Sequence, residues 1–187
     1  MEQEVSTNIR YLLWAGKLPR AKWAEHLATW AKCDLRRAEQ LLRNGDLRQN
    51  EQRSIIEAIG ILEEDLLLTS LLEIRGVDIL RENMEYLIST LNHGEQKKLA
   101  EYVGVDPSTI SRWYGGRLRP TKKHLEWLGL YFGLPLHTNL ETEPIFLSLL
   151  PITVDKRKQW LIEHIQALDA STLHALFPAL ERLLEGR

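Results

Sequence analysis

The chain has 187 residues, with 24 lysines and arginines against 26 acids and a formal net charge of −2. That length suits one or two domains, the near-neutral balance names no partner by itself, and the hydrophobic share of 44% suffices for a packed core. No unbroken apolar run reaches bilayer length, the acidic, polar start MEQEVSTNIR does not read as a secretory signal, and the single cysteine, Cys33, excludes an intrachain disulfide or a cysteine zinc cluster. A cytoplasmic protein without membrane association is expected.

Helical periods run through the sequence, and strand alternation is nearly absent. NIRYLLWAG reads as a short amphipathic helix stopping near Gly16. RAKWAEHLATWAK sets Trp23, Ala24, Leu27, Trp30 and Ala31 on one face. DLRRAEQLLRNG has Asp34 as N-cap and Gly45 as stop. NEQRSIIEAIGILEEDLLL reads as one further helix. A joint follows at EIRGVD, and Asp78 caps ILRENMEYLISTLN. EQKKLAEYV, PSTISRWY and TKKHLEWLGLYFG come next. LPLHTNLETEPIFLSLLPIT, interrupted by Pro135, Pro144 and Pro151, reads as irregular. DKRKQWLIEHIQAL and STLHALFPALERLLEG close the chain as a helical pair, with Pro178 inside the second.

Charge is segregated along this order. Glu95 to Lys123 carries seven bases against three acids, whereas Ile61 to Glu85 carries seven acids against two bases. A near-neutral chain can thus present a basic surface that attracts phosphates.

The stretch EYVGVDPSTISRWYGGRLRP concentrates the unusual features. Gly104 permits a sharp exit from one helix, and Asp106 with Pro107 starts the next. Ile110 and Trp113, three apart, point inward. Ser108, Thr109, Ser111 and Arg112 are left outward, and Gly115 and Gly116 end the helix. Small hydroxyls and an arginine on such a helix can reach base edges in a major groove.

QKKLAEYVGVDPSTISRWYGGRLRP followed by HLEWLGLYFGLP resembles the phage-repressor (Cro/lambda-repressor-like) helix-turn-helix family, over residues 81–135. It departs from the family at Tyr114-Gly115, where an acidic residue and a polar one are usual. The first half, residues 7–70, resembles the same family more weakly: NIRYL echoes NMEYL, WAEHLA echoes LAEYVG, and LLRNGDLR echoes WYGGRLR. In this pairing TWAKC is an insertion that enlarges the turn. Aligning Gly45 with Gly116 sets Glu39 against Ile110; aligning apolar residues sets Ala38 there, which packs better and leaves Arg36, Arg37 and Gln40 outward.

The expectation is an all-α chain: tandem repressor-like helix-turn-helix domains followed by a C-terminal helical hairpin. The segments are 1–75, 76–135, and 136–187 as irregular linker and hairpin. The resemblance implies a sequence-specific DNA-binding transcriptional regulator, a repressor, associated with the nucleoid. The helix Pro107–Tyr114 reads bases of double-stranded DNA through Ser108, Thr109, Ser111 and Arg112. Gln96, Arg117, Arg119 and Lys122 hold phosphates, and Arg36, Arg37 and Gln40 form a second DNA site. Such proteins commonly dimerise, and the apolar stripes of the hairpin suit a homodimer interface. The alternative is an antitoxin-like adaptor whose hairpin binds a protein partner.

Other chemistry is thin. His26, His93, His124, His137, His164 and His174 are scattered, so no metal is expected. Cys33, between Lys32 and Asp34 near a helix start, reads as a buried thiol rather than a reactive one. Ser108 has no His-Asp pair, and no cofactor loop or enzyme signature is present.

Overall fold

The computed structural model describes residues 2–92, 94–150 and 154–184. Among these residues the chain is all-helical, with no strand, and no helix is long and apolar enough to cross a membrane. His93 and Pro151 lie outside the described residues.

The first helix is longer than its apolar pattern suggests. Helix α1 spans Glu2–Ala15 and buries Val5, Ile9 and Leu13, a four-residue spacing that makes one stripe. A 3-10 turn, Arg20–Lys22, leads into α2, Trp23–Ala31, which buries Trp23, Leu27 and Ala31 at the same spacing. Helix α3, Leu35–Asn44, starts at Asp34, whose carboxylate accepts the Arg37 N–H at 2.8 Å. It ends at Gly45 with φ 71°, a left-handed conformation that glycine adopts without steric cost.

The expected long helix after Arg48 is broken. Gly60 takes φ 66° and ends α4, Gln49–Ile59, and two short helices follow: α5, Glu63–Leu67, and α6, Leu71–Ile74. The reversal lets α5 and α6 return onto α1, burying Leu66, Leu71 and Leu72. Four further helices follow: α7, Ile79–Ser89; α8, Glu95–Val103; α9, Pro107–Tyr114; and α10, Lys122–Tyr131. Segment 136–150 is irregular apart from a 3-10 turn at Ile145–Leu147, and folds back on α7 to bury Leu140, Phe146 and Leu147. Helices α11, Val154–Gln166, and α12, Ala170–Leu184, end the described chain, with Pro178 inside α12.

Two buried asparagines are wired alike. The Asn8 amide on α1 donates to the carbonyls of Leu66 and Thr69, at 3.1 and 2.7 Å, while its oxygen accepts the Leu71 N–H at 3.0 Å. The Asn83 amide on α7 donates to those of Leu140 and Glu143, at 2.9 and 2.7 Å, while its oxygen accepts the Phe146 N–H at 3.0 Å. The accepted N–H lies 63 residues downstream in both. An Asn side chain, with donors and acceptor on one planar group, can satisfy both faces of a returning loop.

The two halves share one apolar core, running from Val5 to Leu147. Trp14 donates its ring N–H to Glu82 at 2.7 Å and packs on Tyr86 and Phe146. Arg20 lies between the rings of Trp23 and Tyr86, at 4.9 and 4.1 Å, and donates to the carbonyls of Phe146 and Ser148. Arg10 donates to the Leu147 carbonyl at 3.1 Å. Three carbonyls at the end of a helical turn, the negative end of its dipole, are thus covered by two cations.

Candidate functional site

Helix α9 starts where an N-cap and a proline dictate. The Asp106 carboxylate accepts the Ser108 N–H at 2.8 Å, and Pro107 occupies the first turn. Hydrogen bonds from the Ser108 hydroxyl and N–H hold that carboxyl below the usual range, helped by Arg112. The cap therefore stays ionised at the positive end of the helix dipole. Ile110 and Trp113 are buried at 0% and 2% exposure. Trp113 packs against His124 on α10, with ring centroids 5.1 Å apart.

The other side of α9 is open. Ser108, Ser111 and Arg112 are exposed, whereas Thr109 is half-buried, so the outward face is narrower than the sequence implies. Beyond α9 the chain turns tightly. The Arg112 carbonyl accepts N–H groups from Arg117 and Leu118 at 2.9 and 3.3 Å, and Gly116 takes φ 66° with the Arg81 side chain across it. Arg81, although it belongs to an acidic block of the sequence, therefore adjoins this basic loop. Arg117 is exposed, with no ion pair among the described residues. Arg119 donates to Asp78 at 2.8 Å, an exposed pair that is weak and open to exchange for a phosphate. Lys122 and Gln96 are exposed in the first turns of α10 and α8.

The first half meets the same turn in another sequence. Helix α2 ends at Lys32, left-handed at φ 51° and ψ 47°; Cys33 and the cap Asp34 follow. Helix α8 ends at Gly104, left-handed at φ 76° and ψ 37°; Val105 and the cap Asp106 follow. The turns are equal in length, so TWAKC is no insertion. Leu27-Ala28 stands where Leu99-Ala100 does, and the pairing of WAEHLA with LAEYVG is one helical turn out of step. Ala38 and Leu41, both fully buried, take the places of Ile110 and Trp113, while Glu39 is exposed, which selects the apolar register.

The exposed side chains nevertheless differ. Arg36 and Gln40 are outward, as expected, but Arg37 is not. Its side chain is 12% exposed, and the guanidinium is clamped between Glu51, at 2.8 and 2.9 Å, and Asp46, at 3.2 Å. Glu51 is itself only 2% exposed, and the Arg37 hydrogen bonds hold its carboxyl below the usual range. Arg37 is a structural cation, engaged in an internal pair that α4 supplies. The sequence signal is present in Asp46 and Glu51, but only the fold turns them toward α3.

Burial, reinforced by Glu51 and Asp34, pushes the Cys33 thiol up, which suits an inert thiol. No cluster of three or more metal-ligating side chains exists among the described residues. Comparison of the chain with protein-family models, with curated proteins and with solved structures finds no match.

Proposed function

We propose that this protein is a sequence-specific DNA-binding regulator that represses by occupying its site, with α8, the Gly104 turn and α9 as its helix-turn-helix. The observation that carries the reading is the two-sided character of α9. One side is pinned by Ile110 and Trp113; the other offers Ser108, Ser111 and Arg112 and leads into Arg117, Arg119 and Lys122. Short hydroxyl side chains let a helix approach base edges closely, arginine recognises guanine or a phosphate, and flanking cations grip the backbone.

On this reading α2 and α3 form a second helix-turn-helix in tandem, supported by the shared turn and the shared asparagine wiring. Its outward face mixes Arg36, Gln40 and Arg43 with Glu39, and Arg37 is withdrawn from it. We therefore assign base reading to α9 and a backbone contact through Arg36 and Gln40 to α3.

Titration of a fluorescent random-sequence duplex at several salt concentrations tests the grip. Arg117→Gln with Arg119→Gln weakens binding to every sequence and lowers the slope of log affinity against log salt by about one for each phosphate no longer neutralised. An unchanged slope would remove these residues from the docking face.

A further inference from the structure

We infer that a single chain meets DNA as a head-to-tail pair, with α3 and α9 in the same orientation along the duplex, so that its two halves occupy a direct-repeat arrangement rather than a palindrome. This layout presupposes DNA binding through α9 and follows from the way the two halves touch. They correspond residue by residue. The matching bonds of Asn8 and Asn83 set Arg10 against Glu85, Tyr11 against Tyr86 and Trp14 against Ser89. They also set Leu71, Leu72 and Glu73 against Phe146, Leu147 and Ser148. Under a two-fold axis every contact is exchanged: where one residue of the first half meets one of the second, their counterparts meet as well.

The contacts between the halves are not exchanged. Arg10 donates to the Leu147 carbonyl at 3.1 Å. Its counterpart Glu85, as a carboxylate, has no proton to donate to the Leu72 carbonyl, and pairs with Lys17 at 3.2 Å instead. Trp14 packs on Tyr86 and Phe146 and donates to Glu82, whereas its counterpart Ser89 is exposed and donates to the Tyr86 carbonyl of its own helix at 2.7 Å. Arg20 donates to the Ser148 carbonyl, whereas the counterpart of Ser148, Glu73, is exposed. The first half therefore presents one face, from Arg10 to Arg20, to a different face of the second, which is a heterologous contact. One apolar core runs through both halves, and the Arg20 guanidinium lies between the rings of Trp23 and Tyr86, so the placement of α3 relative to α9 is fixed.

A duplex offers two ways to seat two like units. A two-fold axis across the groove relates the halves of a palindrome, and the helical screw relates direct repeats. A head-to-tail pair lacks the two-fold, so the screw is the relation under which both halves dock. The first half has what docking needs: the shared turn, the Asp34 cap, and Arg36, Gln40 and Arg43 exposed on α3.

Grafting makes the orientation of α3 readable. Ser108, Ser111 and Arg112 correspond to Arg36, Glu39 and Gln40, all exposed. Arg36→Ser, Glu39→Ser and Gln40→Arg together give α3 the outer face of α9 and leave Ala38, Leu41 and the Arg37 pair in place. Gln40→Arg alone repeats only Arg112 and serves as the milder variant; melting verifies the fold of both. Full-length wild-type and grafted chains select sites from a random duplex pool. The triple graft should add a second copy of the wild-type motif in the same orientation at one fixed spacing. It should bind that duplex at least about 10-fold more tightly than one with the second copy inverted. Gln40→Arg should add only the base that Arg112 reads, on the same strand and at the same spacing. A second copy in the opposite orientation, equal binding to the two duplexes, or no added copy or base beside a persisting motif would each overturn the inference and leave α9 standing as the reader. A wild-type chain that enriches no motif would overturn both.

Discussion

Replacing Asn83 by leucine tests how the second half is held together. The two side chains are close in size, so packing changes little and hydrogen bonding changes most. Three backbone groups are left without their partner: the carbonyls of Leu140 and Glu143 and the N–H of Phe146. Glu143 is exposed, so water can take over its carbonyl. Leu140 and Phe146 are 2% and 0% exposed, and their groups stay dry. Each buried group left unsatisfied costs about 1–3 kcal/mol, so Asn83→Leu should destabilise by about 2–6 kcal/mol. For a chain of this length that is a fall of roughly 2–4 °C in Tm per kcal/mol. Urea unfolding followed by circular dichroism measures it. Asn8→Leu should cost a similar amount, because its bonds to Leu66 and Leu71 are equally buried. A loss below about 1 kcal/mol at both positions would refute the reasoning. It would mean that segment 136–150 and α6 are held by apolar packing alone.

Glu51→Gln should cost about 1–3 kcal/mol at neutral pH, since it removes the charge from the buried partner of Arg37 and leaves Asp46 as its one carboxylate. The Glu51 carboxyl titrates below its unfolded value, so its stabilisation is present above about pH 4.3 and is lost as pH falls through the lower, folded value. Acid titration of stability should therefore be shallower below about pH 4.3 in the variant, and an unchanged acid limb would contradict the pairing. Trp113→Ala should cost about 3–5 kcal/mol by opening a cavity beneath α9, read by thermal melting.

Elements are legible in the sequence wherever the apolar period is long and a cap marks the start. Asp34, Asp78 and Asp106 all cap as their positions suggest. The break at Gly60 is not legible, because IIEAIGILEEDLLL keeps a helical period across it. The first turn reads one helical turn out of place for a similar reason: Trp23 and Leu27 are both buried and four apart, so the pattern matches in either register. Lys32 hides the true turn by adopting the left-handed conformation where glycine is usual. On the candidate site, the buried pair Ile110 and Trp113 is readable from spacing. The half-burial of Thr109 and the capture of Arg37 by Asp46 and Glu51 depend on tertiary neighbours that no local pattern encodes.

The most direct test of the proposal that α9 reads bases is selection of preferred sites from a random duplex pool, repeated with Ser108→Ala, Thr109→Ala, Ser111→Ala and Arg112→Gln variants. The wild-type chain should enrich a defined motif. The variants, with folding verified by melting, should lose about 1–3 kcal/mol of discrimination, each at its own base position, while the rest of the motif persists. Thr109→Ala, half-buried, should move the motif least. A wild-type chain that enriches no motif, or a motif identical in all four variants, would contradict the assignment of α9 as the reader.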